Sequence, residues 1–305
     1  MFIETNQVRN QIIPLEAFSI SNFNLVIKRE DQLHPDISGN KLRKLKYNIL
    51  EAKRLNKTTL LTFGGAYSNH IAAVAALGKE YGFKTIGIIR GEELVNKVSI
   101  NATLSFAKSC GMFFYFISRA EYRKKNELFF LENLKSIYGD FYLLPEGGTN
   151  DFAVKGCAEI LTNKDTSFDY VCSSVGTGGT LAGLIMSSNS LQTVIGFSAL
   201  KGTFQNSDIN KFTRKKNYRI LDDYCFGGYA KINIELIEFI NDFKNKTTVS
   251  LDPIYTGKMI FGIFDLINKG YFKENSTILA VHTGGLQGIN GMNALLKKKN
   301  LPTII

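Results

Sequence analysis

One lysine in the sequence has the setting of a chemical nucleophile. Lys41 directly follows a Gly-Asn pair, and apolar residues recur after it at helical spacing. The amine is therefore expected in the first turn of a helix, where the partial positive charge of the helix N-terminus lowers the pKa of a lysine. Such a lysine can attack an aldehyde and form a Schiff base. The alternative is an ordinary solvated lysine on a basic helix.

The stretch GTGGTLAG, residues 176–183, has the pattern of an anion site. A strand followed by glycines and a helix N-terminus aims several backbone N–H groups at one point, as a phosphate requires. Thr177 and Thr180 can add hydroxyl donors. The stretch lacks the Lys of a Walker A loop, and Leu181 stands where a dinucleotide fingerprint needs glycine. A tight turn without a ligand is the alternative.

The stretch GGAYSNH presents Ser68 and Asn69 at a second strand-to-helix turn. An esterase nucleophile would need glycine two residues before and after the serine, but Ala66 and His70 occupy these positions. A hydroxyl and N–H groups at a helix start suit a substrate carboxylate instead. Capping of the helix by Ser68 or Asn69 is the alternative.

Three further side chains lie in glycine-rich or turn segments. Tyr255 occurs in DPIYTGK, Tyr229 in CFGGYAK and Thr283 in HTGG. Thr283 follows a predicted strand, so its hydroxyl is expected at the carboxyl edge of a sheet, where open α/β sheets bind ligands. Packing explains the tyrosines equally well, and turn formation explains the glycines beside Thr283.

Alternating strands and helices are expected to position these residues. The helix after Lys41 is followed by strands at 58–63, 84–91 and 112–118, with helices at 71–82 and 99–110 between them. This alternation predicts βαβ units and a parallel sheet. The segment LLPEGGTND is expected to end this unit, before a helix at 152–162 and strands at 168–174, 193–200 and 277–282. A strand at 24–28 comes first, residues before it are expected to be irregular, and HTGGLQGING is expected to be a turn.

Composition restricts the class of protein. The chain has 305 residues, 44% hydrophobic and 21% charged, which indicates a globular protein of roughly two domains. The net charge of +10 comes from scattered lysines, so nucleic-acid binding is not expected. No apolar run suits a membrane helix, and the start MFIETNQVRN lacks the pattern of a secretory signal. Four separated cysteines without CxxC spacing predict neither a metal site nor disulfides, and favour the cytoplasm.

Six motifs in one order resemble a known family. KRED, GNKLRKL, GGAYSNH, GTGGTLAG, DPIYTGK and HTGG are similar to motifs of the D-cysteine desulfhydrase and 1-aminocyclopropane-1-carboxylate (ACC) deaminase family, from about Lys28 to Gly291. These enzymes depend on pyridoxal 5'-phosphate (PLP) and have the tryptophan synthase β-like fold, fold type II. The resemblance implies a large PLP domain, residues 1–45 plus 146–305, a small inserted βαβ domain, residues 46–145, and a homodimer.

The resemblance also implies roles for the residues singled out above. Lys41 would carry PLP through a Schiff base, Asn69 would lie near the ring hydroxyl, and Thr283 would face the pyridine nitrogen. Ser68 would bind the substrate carboxylate. Tyr255 and Tyr229 would flank the substrate, although the region before Tyr229 looks shortened. The phosphate would be held by Gly176, Thr177, Gly178, Gly179 and Thr180.

Two positions bear on the substrate. At these two positions ACC deaminases have a glutamate and a leucine. This chain has Thr256 and Thr283, and so resembles the desulfhydrases, which have threonines there. A threonine beside the pyridine nitrogen supports a mostly neutral ring and a weaker electron sink, which suits loss of a thiolate better than cyclopropane opening. We therefore expect α,β-elimination on a small amino acid, D-cysteine or a β-substituted alanine, giving pyruvate, ammonia and sulfide.

Several alternatives stay open at this point. The base that removes the α-proton is expected to be Lys41 or Tyr255, and Tyr229 is expected to protonate or position the leaving sulfur. ACC deamination is the alternative within the family. A dehydratase acting on serine or threonine and a non-catalytic amino-acid or anion-binding protein of the same fold are the others.

Overall fold

The computed structural model describes residues 8–305, so the expected irregular start and absent signal in residues 1–7 lie outside the described residues. The strands are β1 Asn10–Ile12, β2 Asn24–Lys28, β3 Thr59–Gly64, β4 Lys84–Arg90, β5 Phe113–Ile117, β6 Tyr142–Leu144, β7 Tyr170–Val175, β8 Thr193–Ser198, β9 Tyr218–Leu221 and β10 Thr277–Val281. The helices are α1 Asn40–Arg54, α2 Asn69–Tyr81, α3 Ala102–Ser109, α4 Arg119–Tyr122, α5 Leu128–Tyr138, α6 Asp151–Ala158, α7 Gly179–Ser187, α8 Gln205–Ile209, α9 Ile234–Thr247, α10 Thr256–Asn268 and α11 Gly288–Lys298.

The larger sheet contains six strands in the order β1-β2-β10-β7-β8-β9. β1 pairs antiparallel with β2, and the other neighbours are parallel. Apolar cores cover both faces of this sheet, one including Phe197 and Phe243 and the other Val171 and Leu184. Burial on both faces explains why its central strands are nearly continuous apolar runs.

The smaller sheet contains four parallel strands in the order β5-β4-β3-β6. Its two faces also carry separate apolar cores, one formed with α1, α2 and α3 and the other with α4 and α5. The predicted α/β class, with parallel sheets flanked by helices, is confirmed. The domain boundaries stay a prediction, and the one at residue 45 falls within α1.

The carboxyl ends of three strands bring the predicted site segments to one region. β10 ends at Val281, just before Thr283, and its parallel neighbour β7 ends at Val175, just before the glycine-rich loop. Loops that follow neighbouring parallel strands leave the same edge of the sheet, so these two segments lie side by side. β3 of the smaller sheet leads in the same way to Ser68.

Three elements differ from the expectations. β1 lies in the segment before residue 24 that was expected to be irregular, because it pairs with the distant strand β2. α6 ends at Ala158 instead of Thr162, because Thr162 forms a capping box with Asp165 that starts a short 3-10 helix. The glycine-rich segment expected to be a turn leads into α11 from Gly288, where Met292 and Leu296, one helical turn apart, are buried. In residues 8–305, no helix is long and apolar enough to cross a membrane.

Candidate active site

Lys41 lies in the first turn of α1, as predicted, and a close backbone approach holds it there. Gly39 has φ of +60°, and a Cβ at this position would lie 2.1 Å from the carbonyl oxygen of Thr283. The Asn40 N–H donates to that same oxygen at 3.3 Å. Because glycine alone has no Cβ, it allows the start of α1 to contact the segment after β10. Lys41 is thereby placed beside Thr283.

The Lys41 amine is partly buried and has an altered pKa. Burial, and then the charge of Lys44, lower the pKa of Lys41 from 10.5 to about 7. The pKa of Lys41 is thus lowered, as predicted. The causes are burial and the neighbouring Lys44 cation, whereas the sequence analysis attributed the lowering to the helix dipole. Lys41 Nζ donates to Asn40 Oδ1 at 3.0 Å. At neutral pH a substantial fraction of this amine is unprotonated and can act as a nucleophile.

The glycine-rich loop leads into α7 as an anion cradle would. Gly178 precedes the helix with φ of +83°, and no side chain of the described chain caps the N-terminus of α7. Thr180, in the first turn, is buried and accepts a hydrogen bond from Asn40 Nδ2 at 2.7 Å. Asn40 therefore contacts both Thr180 and the Lys41 amine. The uncapped N–H groups of α7 are available to an anion.

Lys44 also reaches this loop, and the sequence analysis did not assign it a role. Its amine is buried and lies 2.9 Å from the Gly147 carbonyl, 3.0 Å from Thr149 Oγ1 and 3.4 Å from Thr177 Oγ1. Thr177 is exposed and contacts Thr149 through their hydroxyls at 2.6 Å. The spacing of the two lysines could have indicated this position. Lys44 lies three residues after Lys41, and residues three apart lie on the same face of a helix.

Ser68 and Asn69 form the start of α2. The Ser68 hydroxyl caps the helix by accepting from the N–H groups of His70 and Ile71 at 3.2 and 3.3 Å, so the capping alternative describes its observed contacts. The hydroxyl proton stays free to be donated. Asn69 Oδ1 accepts from Gln287 Nε2 at 3.2 Å. One pocket is lined by Asp36, Ser38, Asn40, Lys41, Asn69, Thr283, Gly285 and Gln287.

The two threonines that bear on the substrate have different surroundings. Thr283 is buried, and its hydroxyl lies 3.1 Å from that of Ser174. Thr256 is fully buried, donates to Asp252 Oδ2 at 2.7 Å and accepts from the Asp252 N–H at 2.9 Å. The Asp252 carboxylate also accepts from the N–H groups of residues 254–256. The Thr256 hydroxyl is therefore used to hold the turn before α10.

Tyr255 and Tyr229 contact each other at the edge of the glycine-rich loop. Their rings are 6.2 Å apart and inclined by 67°, and a Cβ at Gly176 would lie 3.3 Å from the ring of Tyr255. Burial, and then the neighbouring Tyr229, raise the pKa of Tyr255 well above 10, and burial raises that of Tyr229. Both phenols are therefore protonated at neutral pH and act as donors. Tyr229 is 42% exposed, at the outer side of the pair.

The described residues fit PLP, the cofactor that the motifs imply. PLP carries its aldehyde and its phosphomethyl group on adjacent ring carbons, so it needs an amine and an anion site close together. Asn40 bridges these two features, because it contacts both Lys41 Nζ and Thr180 of the glycine-rich loop. Asn69 and Thr283 add an amide and a hydroxyl in the same pocket for the polar atoms of a ring.

Comparisons with known proteins agree with this fit. The family model "Pyridoxal-phosphate dependent enzyme" matches residues 3–284. The chain is 31% identical over 289 residues to "Putative 1-aminocyclopropane-1-carboxylate deaminase" of Thermotoga maritima, covering 88% of this chain and 90% of that protein. It is 30% identical over 301 residues to "Bifunctional D-cysteine desulfhydrase/1-aminocyclopropane-1-carboxylate deaminase, mitochondrial" of Arabidopsis thaliana, covering 87% and 73%.

A solved structure titled "Crystal Structure Analysis of the ACC deaminase homologue" superposes with a TM-score of 0.84 and 27% identity, covering 97% of this chain and 95% of that one. The predicted fold type II architecture and the predicted cofactor are confirmed by these matches. The family model matches residues 3–284, and relatives are 30–31% identical over most of the chain, so the chain belongs to the pyridoxal-phosphate dependent enzyme family.

Proposed function

We propose that the enzyme catalyses α,β-elimination of sulfide from D-cysteine, and that water then hydrolyses the elimination product to pyruvate and ammonia. The observation that carries this proposal is the Thr283 hydroxyl, buried in the pocket beside Ser174 at 3.1 Å. A hydroxyl at the position implied for the pyridine nitrogen supports a mostly neutral ring and a weaker electron sink. A weak sink is sufficient for a good leaving group such as a thiolate.

In this proposal Lys41 holds the cofactor, and the loop before α7 together with Lys44 holds its phosphate. When bound, PLP supplies an electron sink for the pair of electrons left when the α-proton is removed. The amine of lowered pKa supports Lys41 as the base for that proton once the substrate has displaced it. The raised pKa of Tyr255 argues against the alternative base, because a neutral phenol donates a proton.

The start of α2 is the proposed site for the substrate carboxylate. Ser68 still has its hydroxyl proton to donate, and the N-terminus of α2 favours an anion. Tyr229, protonated and at the outer side of the tyrosine pair, is proposed to donate a proton to the leaving sulfur.

ACC deamination is the second candidate, and the names of the relatives favour it. The Thermotoga maritima protein is named for this activity, and the Arabidopsis thaliana protein is named for both activities. Both reactions start with the same cofactor and a small amino acid. They differ in the bond that breaks and in the keto acid released, so the products separate them.

The test is a product assay on purified protein loaded with PLP. D-cysteine, L-cysteine, D-serine and ACC are supplied in turn, and pyruvate, sulfide and 2-oxobutyrate are measured. Pyruvate and sulfide from D-cysteine are the expected result. 2-Oxobutyrate from ACC without turnover of D-cysteine would refute the argument from Thr283 and make the deaminase the function.

Lys41→Ala tests the attachment of the cofactor. This change should abolish the absorbance of lysine-bound PLP together with turnover, because the residue supplies the amine. Lys53→Ala is the matched control, since Lys53 is an exposed lysine in the last turn of the same helix. Full activity of Lys41→Ala would remove the proposal altogether.

We propose further that the chain forms a homodimer of two-domain protomers and acts in the cytoplasm. The two sheets with separate cores support the domain division. Neighbouring exposed side chains at the start of α5, Leu128 and Phe129 at 79% and 81% exposure, offer apolar surface to a second copy. Light scattering of the purified protein tests the assembly, and a mass of one chain would refute it.

A further inference from the structure

The segment that carries Tyr229 has a backbone conformation that most side chains avoid. Residues 223–230, here called the Tyr229 loop, include Phe226 and Ala230 with φ of 53° and 56°. Gly227 and Gly228 between them have φ of 86° and 124°. Left-handed conformations crowd the Cβ of other residues, so such a run persists where surrounding contacts fix it. The contacts that fix this loop therefore also fix Tyr229.

A buried lysine of α10 makes the contacts nearest to Tyr229. Lys258 Nζ donates to the carbonyl oxygen of Cys225 at 2.7 Å and to that of Gly228 at 2.9 Å. Gly228 directly precedes Tyr229, and Cys225 directly precedes the left-handed run. One amine thus joins the two ends of the part of the loop that is least favourable for a polypeptide backbone.

The next residues on the same face of α10 hold the rest of the loop. The ring of Phe261 packs against Phe226, with centroids 5.1 Å apart and an angle of 76°. Asp265 Oδ2 accepts from the Tyr224 hydroxyl at 2.6 Å. Positions 258, 261 and 265 follow the i, i+3, i+7 spacing that lines one side of a helix. The loop is therefore attached along the length of α10.

Lys258 is unusual as a purely structural residue. Lys258 is 2% exposed, and its amine donates to the neutral carbonyls of Cys225 and Gly228. Among the described residues, no carboxylate forms an ion pair with it. Burial lowers its pKa to about 8, which shows the penalty on the charged form. An apolar side chain would fill the same space without that penalty. The property that distinguishes a lysine here is its ability to donate to both carbonyls.

The same helix sets the position of the other tyrosine. Tyr255 directly precedes α10, and its ring contacts that of Tyr229. A helix that begins at one phenol and holds the loop of the other fixes the distance between them. We propose that Lys258 is a positioning residue, which holds the Tyr229 loop on α10 and so keeps the Tyr229 hydroxyl beside Tyr255. The use of that hydroxyl in the reaction rests on the proposed function.

Hydrogen exchange of the PLP-loaded protein tests the attachment without reference to activity. In Lys258→Met, the amides of residues 223–231 should exchange at least tenfold faster, while those of α9 keep their wild-type rates. Lys231→Met is the matched control, because Lys231 is an exposed lysine that directly follows the Tyr229 loop. Lys258→Gln, which keeps a neutral donor, should restore part of the protection, and it serves in place of Lys258→Met if that variant does not fold. Unchanged exchange in both Lys258 variants would overturn the proposal.

A double-mutant cycle tests whether Lys258 acts through Tyr229. Lys258→Met and Tyr229→Phe are each expected to lower kcat about tenfold with little change in KM, since the phenol is used after the substrate binds. The double variant should be no slower than the slower single variant. Losses that multiply would overturn the coupling. If Tyr229→Phe keeps full activity, the proposed role of Tyr229 fails, and the exchange experiment alone decides whether Lys258 holds the loop.

Discussion

Replacement of Lys44 should weaken the binding of PLP through its phosphate. The Lys44 amine is buried and lies 3.4 Å from Thr177 Oγ1, at the mouth of the loop before α7. A hydrogen bond between a charged donor and a phosphate contributes about 1.5–3 kcal/mol, which corresponds to roughly 10- to 150-fold in the dissociation constant. Lys44→Met keeps the length and apolar volume of the side chain but removes the charge. We expect the dissociation constant of PLP to rise by that factor.

The effect of Lys44→Met on the free energy of unfolding should be small. Burial lowers the pKa of Lys44, so its charged form is penalised in the protein without cofactor. Loss of the amine also leaves the Gly147 carbonyl and the Thr149 hydroxyl with one partner fewer, at about 1 kcal/mol each. These contributions oppose each other. The free energy of unfolding of the cofactor-free variant should therefore stay close to the wild-type value.

Pyridoxal, which lacks the phosphate, separates phosphate binding from an effect on Lys41. The charge of Lys44 also lowers the pKa of Lys41, so the titrations are made at pH 8.5, where the Lys41 amine is largely neutral. Lys44→Met should weaken PLP and leave pyridoxal unchanged, with Lys53→Met as the exposed control on α1. An equal loss for both ligands would refute the assignment of Lys44 to the phosphate, and no loss for PLP would do so as well.

Three further predictions concern the positions of the main groups. Because the pKa of Lys41 is about 7, its neutral fraction rises from about a tenth at pH 6 to about nine-tenths at pH 8, so the initial rate of PLP attachment should rise roughly ninefold over that range and then level off; a flat stopped-flow profile would contradict the altered pKa. Gly39→Ala would place a Cβ 2.1 Å from a carbonyl oxygen, so it should lower the free energy of unfolding in urea by more than about 2 kcal/mol. Gly82→Ala, which has open space around the new Cβ, should lower it by about 1 kcal/mol. Equal losses in the two variants would refute the close approach at Gly39. Thr256→Glu should be less stable than Thr256→Gln, by a margin that grows from pH 5 to pH 8. A glutamate carboxyl buried beside Asp252 has a raised pKa, so its charged form, which increases with pH, is penalised in the folded protein. Equal stability of the two variants across that range would contradict the contact between residue 256 and Asp252.

The sequence pattern predicted those helices and strands whose signals come from residues adjacent along the chain. The strand at 24–28 has the predicted bounds, and α2 ends at Tyr81, one residue before the predicted end at Gly82, which has the left-handed conformation. The start of α1 at Lys41 was also predicted, because an apolar repeat follows it. α11 was missed because the glycines at 284, 285, 288 and 291 resemble a turn, and the burial of Met292 and Leu296 comes from tertiary packing.

Motifs predicted the positions of single candidate site residues. The residues that hold those candidates in place were not predicted. Lys44, Asn40 and Lys258 act through contacts with residues 30 to 140 positions away along the chain. A lysine that contacts a distant loop has no local signature that distinguishes it from a surface lysine, and this basic chain has many of those. The cause of the lowered pKa of Lys41 was missed for the same reason, since burial is a property of the assembled fold.

The turn before α10 shows why a substitution at a single position does not convert one proposed activity into the other. A glutamate at residue 256 would need to point toward the cofactor, whereas the Thr256 side chain is directed at Asp252, which accepts hydrogen bonds from Thr256 and from three backbone N–H groups. A carboxylate could not replace the Thr256 hydroxyl as a donor there without repulsion. Thr256 and Asp252 thus form one unit that fixes Tyr255. In the proposed function, the contact with the cofactor ring comes instead from Thr283, which follows β10 and lies beside Ser174. We therefore expect Thr283→Leu alone to weaken D-cysteine turnover without creating ACC turnover, and 2-oxobutyrate formation by that variant would refute this account of the site.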